Sequence, residues 1–214
     1  MVRVFLQSRV VAALAVFAAF LAFCPASPAA SATGPADSVA MLQKGIDAKD
    51  LSLVETYLDI DAVVAKGTAQ VLADDDIAKE AAQNPAIGLV LALGGNAATN
   101  EALRSLLVSE ARSYVTYGVL SGAFAGKPEK TQTPYRGIFG KAFRGGAKDR
   151  KVFSPAKLVR QDGDTAVVTT TLTDGTKGRK YPLELRLEKR DAVWRVSELV
   201  NAAEFIRRHK EKDT

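Results

Sequence analysis

The sequence predicts one α+β domain, with helices packed on a four-stranded antiparallel meander. Two observations carry this. Apolar residues recur at helical spacing through the first two thirds of the chain, and from Ala156 the spacing changes to two. Aspartate–glycine pairs then punctuate the alternating segments, supplying the positive φ angles that tight hairpins require. Helices that come first and strands that come last have one apolar surface to share, the buried face of the meander.

The helices follow from caps and stripes. Asp37 or Ser38 caps a segment carrying Val39, Leu42 and Ile46, which Gly45 weakens. Asp50 caps Leu51 to Leu58, and Asp61 caps a segment through Val63, Val64 and Val71. Each carboxylate accepts from free N–H groups of the first turn and suits the positive end of the helix dipole. Asp74-Asp75-Asp76 repeats the device before Ile77 to Ala82, and Asn84-Pro85 ends that piece. Ala86 to Leu93 is apolar all round, the signature of a buried helix, and Gly94-Gly95-Asn96 breaks it. Thr99 or Asn100 opens the longest helix, running to about Phe124, with Leu103, Leu106, Leu107, Tyr114, Tyr117, Leu120 and Phe124 along one side. Gly126 and Pro128 mark its stop. Lys127 to Pro134 reads as a loop, and Ile138, Phe139, Ala142 and Phe143 as a turn or two of helix. Gly145-Gly146 and the basic run after it read as a second exposed loop.

Four strands are expected at Lys157–Gln161, Thr165–Thr173, Arg179–Arg190 and Ala192–Leu199, joined in part by Asp162-Gly163 and Asp174-Gly175. Leu183, Leu185 and Leu187 alternate with Glu184, Arg186 and Glu188, so one face is buried and the other wet. Pro182 lacks an N–H for the ladder and belongs at an edge or a bulge. A last helix, about Ala202 to Lys210, follows Asn201.

The N-terminus points to export. Arg3 and Arg9 precede an apolar run from Val10 to Phe23, and small residues end in Ala30-Ser31-Ala32. Those are the three parts of a cleavable signal peptide, and the apolar run is shorter than the roughly 20 residues that cross a membrane as a helix. Residues 1–32 are therefore expected to be removed, leaving residues 33–214 as a single periplasmic or secreted domain. Cys24, the one cysteine, leaves with them; a lipoprotein signal ending at Cys24 is the rival reading, and the large Phe23 before it speaks against that. The released chain has no thiol for a disulfide, a zinc–thiolate site or a nucleophile.

Charge is polarised along the chain. Residues 37–110 hold twelve acidic and five basic side chains, whereas residues 127–160 hold ten basic and two acidic. Arg144, Lys148, Arg150 and Lys151 form the basic stretch that suits an anionic head group, an anionic membrane surface or a protein partner. A solvated surface, or attraction between the two halves, is the plainer account. Nothing in the stretch resembles a nucleic-acid-binding module.

Familiar chemistry finds little purchase. His209, the one histidine, stands in the basic tail Arg207-Arg208-His209-Lys210, without the pocket and orienting partner that an acid–base catalyst needs. No Gly-x-Ser-x-Gly elbow exists, and zinc has almost no nitrogen or sulfur ligands. Ala78 and Lys79 stand where a calcium loop at Asp74-Asp75-Asp76 needs a glycine and a ligand. The glycine pairs lack the lysine and the strand-to-helix context of a phosphate loop. No cofactor and no metal is expected.

The segment Val152 to Ile206, with Asp191-Ala192-Val193-Trp194-Arg195-Val196 and Asn201, resembles the nuclear transport factor 2-like superfamily, and Asp59-Ile60-Asp61-Ala62-Val63 resembles that family's N-terminal half. The resemblance implies a sheet curved around helices into a cone with an apolar cavity. Such cones host enzymes, ligand carriers and bare interaction modules. The layout is also similar to the periplasmic phospholipid carriers of the outer-membrane lipid asymmetry pathway, although Gly67-Thr68 stands where those have a glycine-x-tryptophan element.

The expected function is therefore a non-enzymatic binding or interaction domain holding an apolar or lipid-like ligand. The alternatives are a phospholipid carrier and a cone-pocket enzyme of the isomerase or dehydratase kind. If a ligand is held, its wall is expected at Tyr114, Tyr117, Leu183, Leu185 and Trp194. Ordinary core packing is the competing account of the two tyrosines.

Overall fold

Local signals set the first helices. α1 (Pro35–Ala48) starts earlier than the Asp37 or Ser38 cap expected: Gly34 is its N-cap, Pro35 fills a first-turn position, and Asp37 reaches back to accept from the Gly34 N–H at 3.0 Å. Lys49 ends it in the left-handed region, and the Asp50 N–H closes on the Gly45 carbonyl at 2.8 Å. Asp50 caps α2 (Leu51–Tyr57) as expected, accepting from Leu53 N–H at 2.9 Å. Gly45 does more than weaken α1. A Cβ there would lie 2.9 Å from a Val54 methyl and 3.0 Å from the Val54 nitrogen, so glycine is what lets α1 and α2 touch. The next cap is a correction: α3 (Ile60–Leu72) is capped by Asp59, not Asp61, through the Ala62 N–H at 3.0 Å.

This computed structural model describes residues 34–73, 101–129, 135, 137, 150–174 and 178–211. Every described residue belongs to one compact unit, Ala32–Thr214. The pieces expected at Asp74 to Ala82 and Ala86 to Leu93, the breaks at Asn84-Pro85 and Gly94-Gly95-Asn96, and the turns at Ile138 to Phe143 lie outside the described residues. So do Arg144 and Lys148.

α4 (Glu101–Leu120) ends about four residues sooner than its pattern implied. Gly122 takes φ 73° and Gly126 repeats it, folding the chain into a tight turn that returns Phe124 N–H to the Gly118 carbonyl at 2.9 Å. The Phe124 ring occupies the space a Cβ on Gly118 would need. The buried side also differs from the one expected. Ala111 and Val119 are buried and Leu120 is half exposed, because the stripe runs through 111, 115 and 119 at helical spacing.

The sheet is a curled antiparallel meander four strands wide, as expected, with one strand more than the sequence pattern showed. β2 (Lys157–Asp162), β3 (Thr165–Asp174), β4 (Arg179–Arg190) and β5 (Val193–Leu199) pair in order. β1 (Lys151–Phe153), at the end of the basic run expected as a loop and for which no strand was expected, pairs with the far half of the β3 edge that β2 leaves open. Ser154 turns the corner between them: its N–H donates to Thr171 O and its Oγ accepts from Thr171 N–H, each at 2.9 Å. The β4–β5 turn is Asp191-Ala192, both at positive φ, so β5 begins one residue later than expected.

Leu183, Leu185 and Leu187 are buried on the inner face with Ala166, Val168, Trp194 and Val196, and Glu184, Arg186 and Glu188 take the other. Pro182 lies in a strand paired on both sides, not at an edge, yet its place obeys the same physics. β5 has ended beside it, and the missing N–H faces the side where Asn201 Nδ2 donates to the Pro182 carbonyl at 3.0 Å. Asn201 Oδ1 accepts from Glu184 N–H at 3.0 Å, so one side-chain amide continues the ladder where the strand stops. α5 (Ala202–Glu211) follows.

A candidate ligand cavity between helices and sheet

Between the helices and the inner face lies a partly open cavity of about 260 Å³. α1 gives Leu42 and Ile46 to its wall, α2 gives Val54, and Leu58 and Val63 follow. α4 gives Tyr114, Val115 and Val119, with Phe124 from the turn beyond. The sheet side carries Lys151, Phe153, Leu172, Leu183, Leu185, Val196 and Leu199, and α5 closes with Phe205. Tyr114 and Lys151 are the two lining residues with polar side-chain atoms; the rest is hydrocarbon and phenyl ring.

Leu58 reaches the wall because the segment before α3 extends the sheet. Leu58 bridges to Val196 in parallel, and the Asp59 N–H donates to Val196 O at 2.9 Å. Beside it, a charged cluster fixes α3. Lys66 Nζ stands 2.7 Å from Glu188, and Arg190 donates to both Asp59 and Glu188 at 2.7 Å. The hydrogen bond from Lys66, then those from Arg190 and Ser197, hold the Glu188 carboxyl down at about 2 against the opposing effect of burial.

Of the five wall residues expected, Tyr114, Leu183 and Leu185 line the cavity, and Tyr117 and Trp194 do not. Tyr117 lies about 60° round α4 from Tyr114, on the side away from Val115, and its ring meets Tyr135 at 5.9 Å. Trp194 stands opposite Lys189 at the turn end of the β4–β5 hairpin, away from Leu183 and Leu199, buried in the core with the Lys189 ammonium 6.0 Å from its ring. The Tyr114 ring packs 5.3 Å from Phe124 and 5.5 Å from Tyr135. The Tyr135 hydroxyl donates to Glu110 at 2.8 Å, and burial followed by that hydrogen bond raises its pKa.

Of the basic stretch, Lys151 enters the wall and Arg150 is exposed beside it. Most of the wall lay outside the five residues expected, Phe153, Leu172 and Phe205 among it. Phe205 was the most findable, as the one aromatic on a short helix rich in charge. Among the described residues no group of three or more histidine, cysteine or acidic side chains gathers to hold a metal, and no helix is long and apolar enough to cross a membrane.

The fold and site thus define an α+β domain with a partly open apolar cavity. No protein family, curated protein or solved structure matches the chain.

Proposed function

We propose that this protein binds a small apolar molecule between its helices and sheet, as a non-enzymatic exported domain of the nuclear transport factor 2-like kind. The observation that carries the reading is the hydrocarbon wall drawn from helices and strands alike around about 260 Å³. A well-packed interior does not hold such a gap without cost. Apolar wall atoms facing such a gap lack the close partners that a packed interior gives them. An apolar ligand recovers contacts that the wall otherwise lacks. The size suits a ring system or one aliphatic chain, since apolar cavities of about 150 Å³ already admit benzene. It does not suit a two-chain phospholipid, so the phospholipid-carrier alternative is the weaker one.

The test is titration with N-phenylnaphthylamine, a neutral dye that brightens in apolar surroundings. The protein is expected to bind it, and Val115→Trp, which fills the cavity from α4, to abolish binding without lowering the melting temperature. Leu172→Trp does the same from the sheet. Absence of dye binding, or binding untouched by both substitutions in folded protein, overturns the proposal. Export is part of the reading: N-terminal sequencing of the mature protein is expected to start near Thr33, and an acylated Cys24 at the start would replace that with membrane anchoring.

A further inference from the structure

We propose that two copies of this chain pair through β2, antiparallel and edge to edge about a two-fold axis, with Lys157 of each copy opposite Asp162 of the other. β2 hydrogen-bonds to β3, and among the described residues no strand takes its other edge. All six of its residues are exposed. Leu158 and Val159, 50% and 58% exposed, are among the few large apolar side chains of the described residues that the fold leaves to water. An unpaired strand edge is a template for another strand.

The register follows from the backbone. Ser154 N–H donates to Thr171 O, so Thr171 turns its backbone groups to the side of β1 and β2, and by alternation so do Thr169, Val167 and Thr165. Their partners Lys157, Arg160 and Asp162 therefore bond inward to β3, while Leu158 and Gln161 turn N–H and C=O to the free edge. The register shifts between Leu158 and Arg160, which makes Val159 an extra residue, a bulge. That bulge gives β2 a symmetry that an unbroken strand of this length lacks. Lys157 and Asp162 bond inward, and Leu158 and Gln161 outward, at mirrored places about the centre between Val159 and Arg160. Two antiparallel copies can then set Leu158 against Gln161 and exchange both hydrogen bonds there, with Val159 beside the axis.

The same register sets Lys157 against Asp162 at both ends. Among the described residues neither side chain has an ion-pair partner within its own chain. A lysine on an edge normally guards it against pairing. Here a carboxylate of the second copy meets it, and opposite charges directly across a pair of strands attract. The edge thus accepts its own kind and repels strands that lack the carboxylate.

The experiment is sedimentation velocity of the purified protein over a concentration series. A six-residue strand buries less than the roughly 1,200 Å² of stable complexes, so the dimer is expected to be weak, populated at high micromolar concentration and reduced by added salt. Lys157→Asp alone and Asp162→Lys alone are each expected to weaken it about tenfold, because like charges then stand opposite. Mixing the two variants brings unlike charges together again at both ends and is expected to restore association. A damaged fold would show no such recovery. A monomer at every concentration, a dimer indifferent to either reversal, or no recovery on mixing overturns the proposal. A stronger dimer in Lys157→Asp overturns it as well, and would mean that Lys157 only guards the edge.

Discussion

Ala192 illustrates how a single residue stores strain. With Asp191 at φ 51° and Ala192 at φ 66°, the β4–β5 turn holds two residues with a Cβ in the left-handed region that a type I′ hairpin demands. Glycine is the usual second residue there, because the left-handed conformation costs an L-residue roughly 1–2 kcal/mol. Glycine's greater freedom in the unfolded chain returns part of that. Ala192→Gly is therefore expected to stabilise the protein by about 0.5–1 kcal/mol, read as a higher denaturation midpoint in urea with an unchanged slope. Gly45 and Gly118 run the other way: both sit where a Cβ meets Val54 or Phe124, so helix propensity yields to packing at these positions.

At the scale of elements, side-chain amides finish what strands begin. Gln43 completes the outer edge of β1, and Asn201 completes β4 where β5 stops. Gln43→Ala removes both bonds at once, leaving Phe153 N–H and Lys151 C=O to water or to nothing. The expected cost is about 1–2 kcal/mol, modest because β1 is only half-buried. Amide hydrogen exchange at Phe153 is the sensitive measure: protection there is expected to fall while that of Leu185, deep in β4, changes only with global stability. Unchanged protection at Phe153 would mean that β3 alone holds the strand.

Across the whole molecule, the charged cluster at α3, β4 and β5 couples stability to acid. Glu188 has its carboxyl held at about 2 in the fold, against about 4.3 in an unfolded chain. The folded state thus binds fewer protons, and this contribution to stability is complete above about pH 5. It is lost as pH falls from there through about 2. Glu188→Gln is expected to lower stability at neutral pH and to flatten the acid limb of the stability–pH curve between those limits. An acid limb unchanged in Glu188→Gln would overturn this coupling.

What the sequence determined alone is whatever depends on neighbours along the chain. The alternation of Leu183, Leu185 and Leu187, the Asp50 cap and the helical stripe of Val39, Leu42 and Ile46 rest on periods of two and 3.6 and on one cap, and each is found where it was expected. Tyr114, Leu183 and Leu185 were legible as wall residues for the same reason. Tertiary structure decided the rest. Three residues are too few to show a period, so β1 was invisible until Gln43, more than a hundred residues earlier, supplied its second edge. Trp194 and Tyr117 carry the apolar surface of cavity residues, yet hairpin register and helix rotation turned one into the core and the other toward Tyr135. A void exists only where several elements fail to meet. Its wall is therefore a property of their packing, which no local pattern encodes.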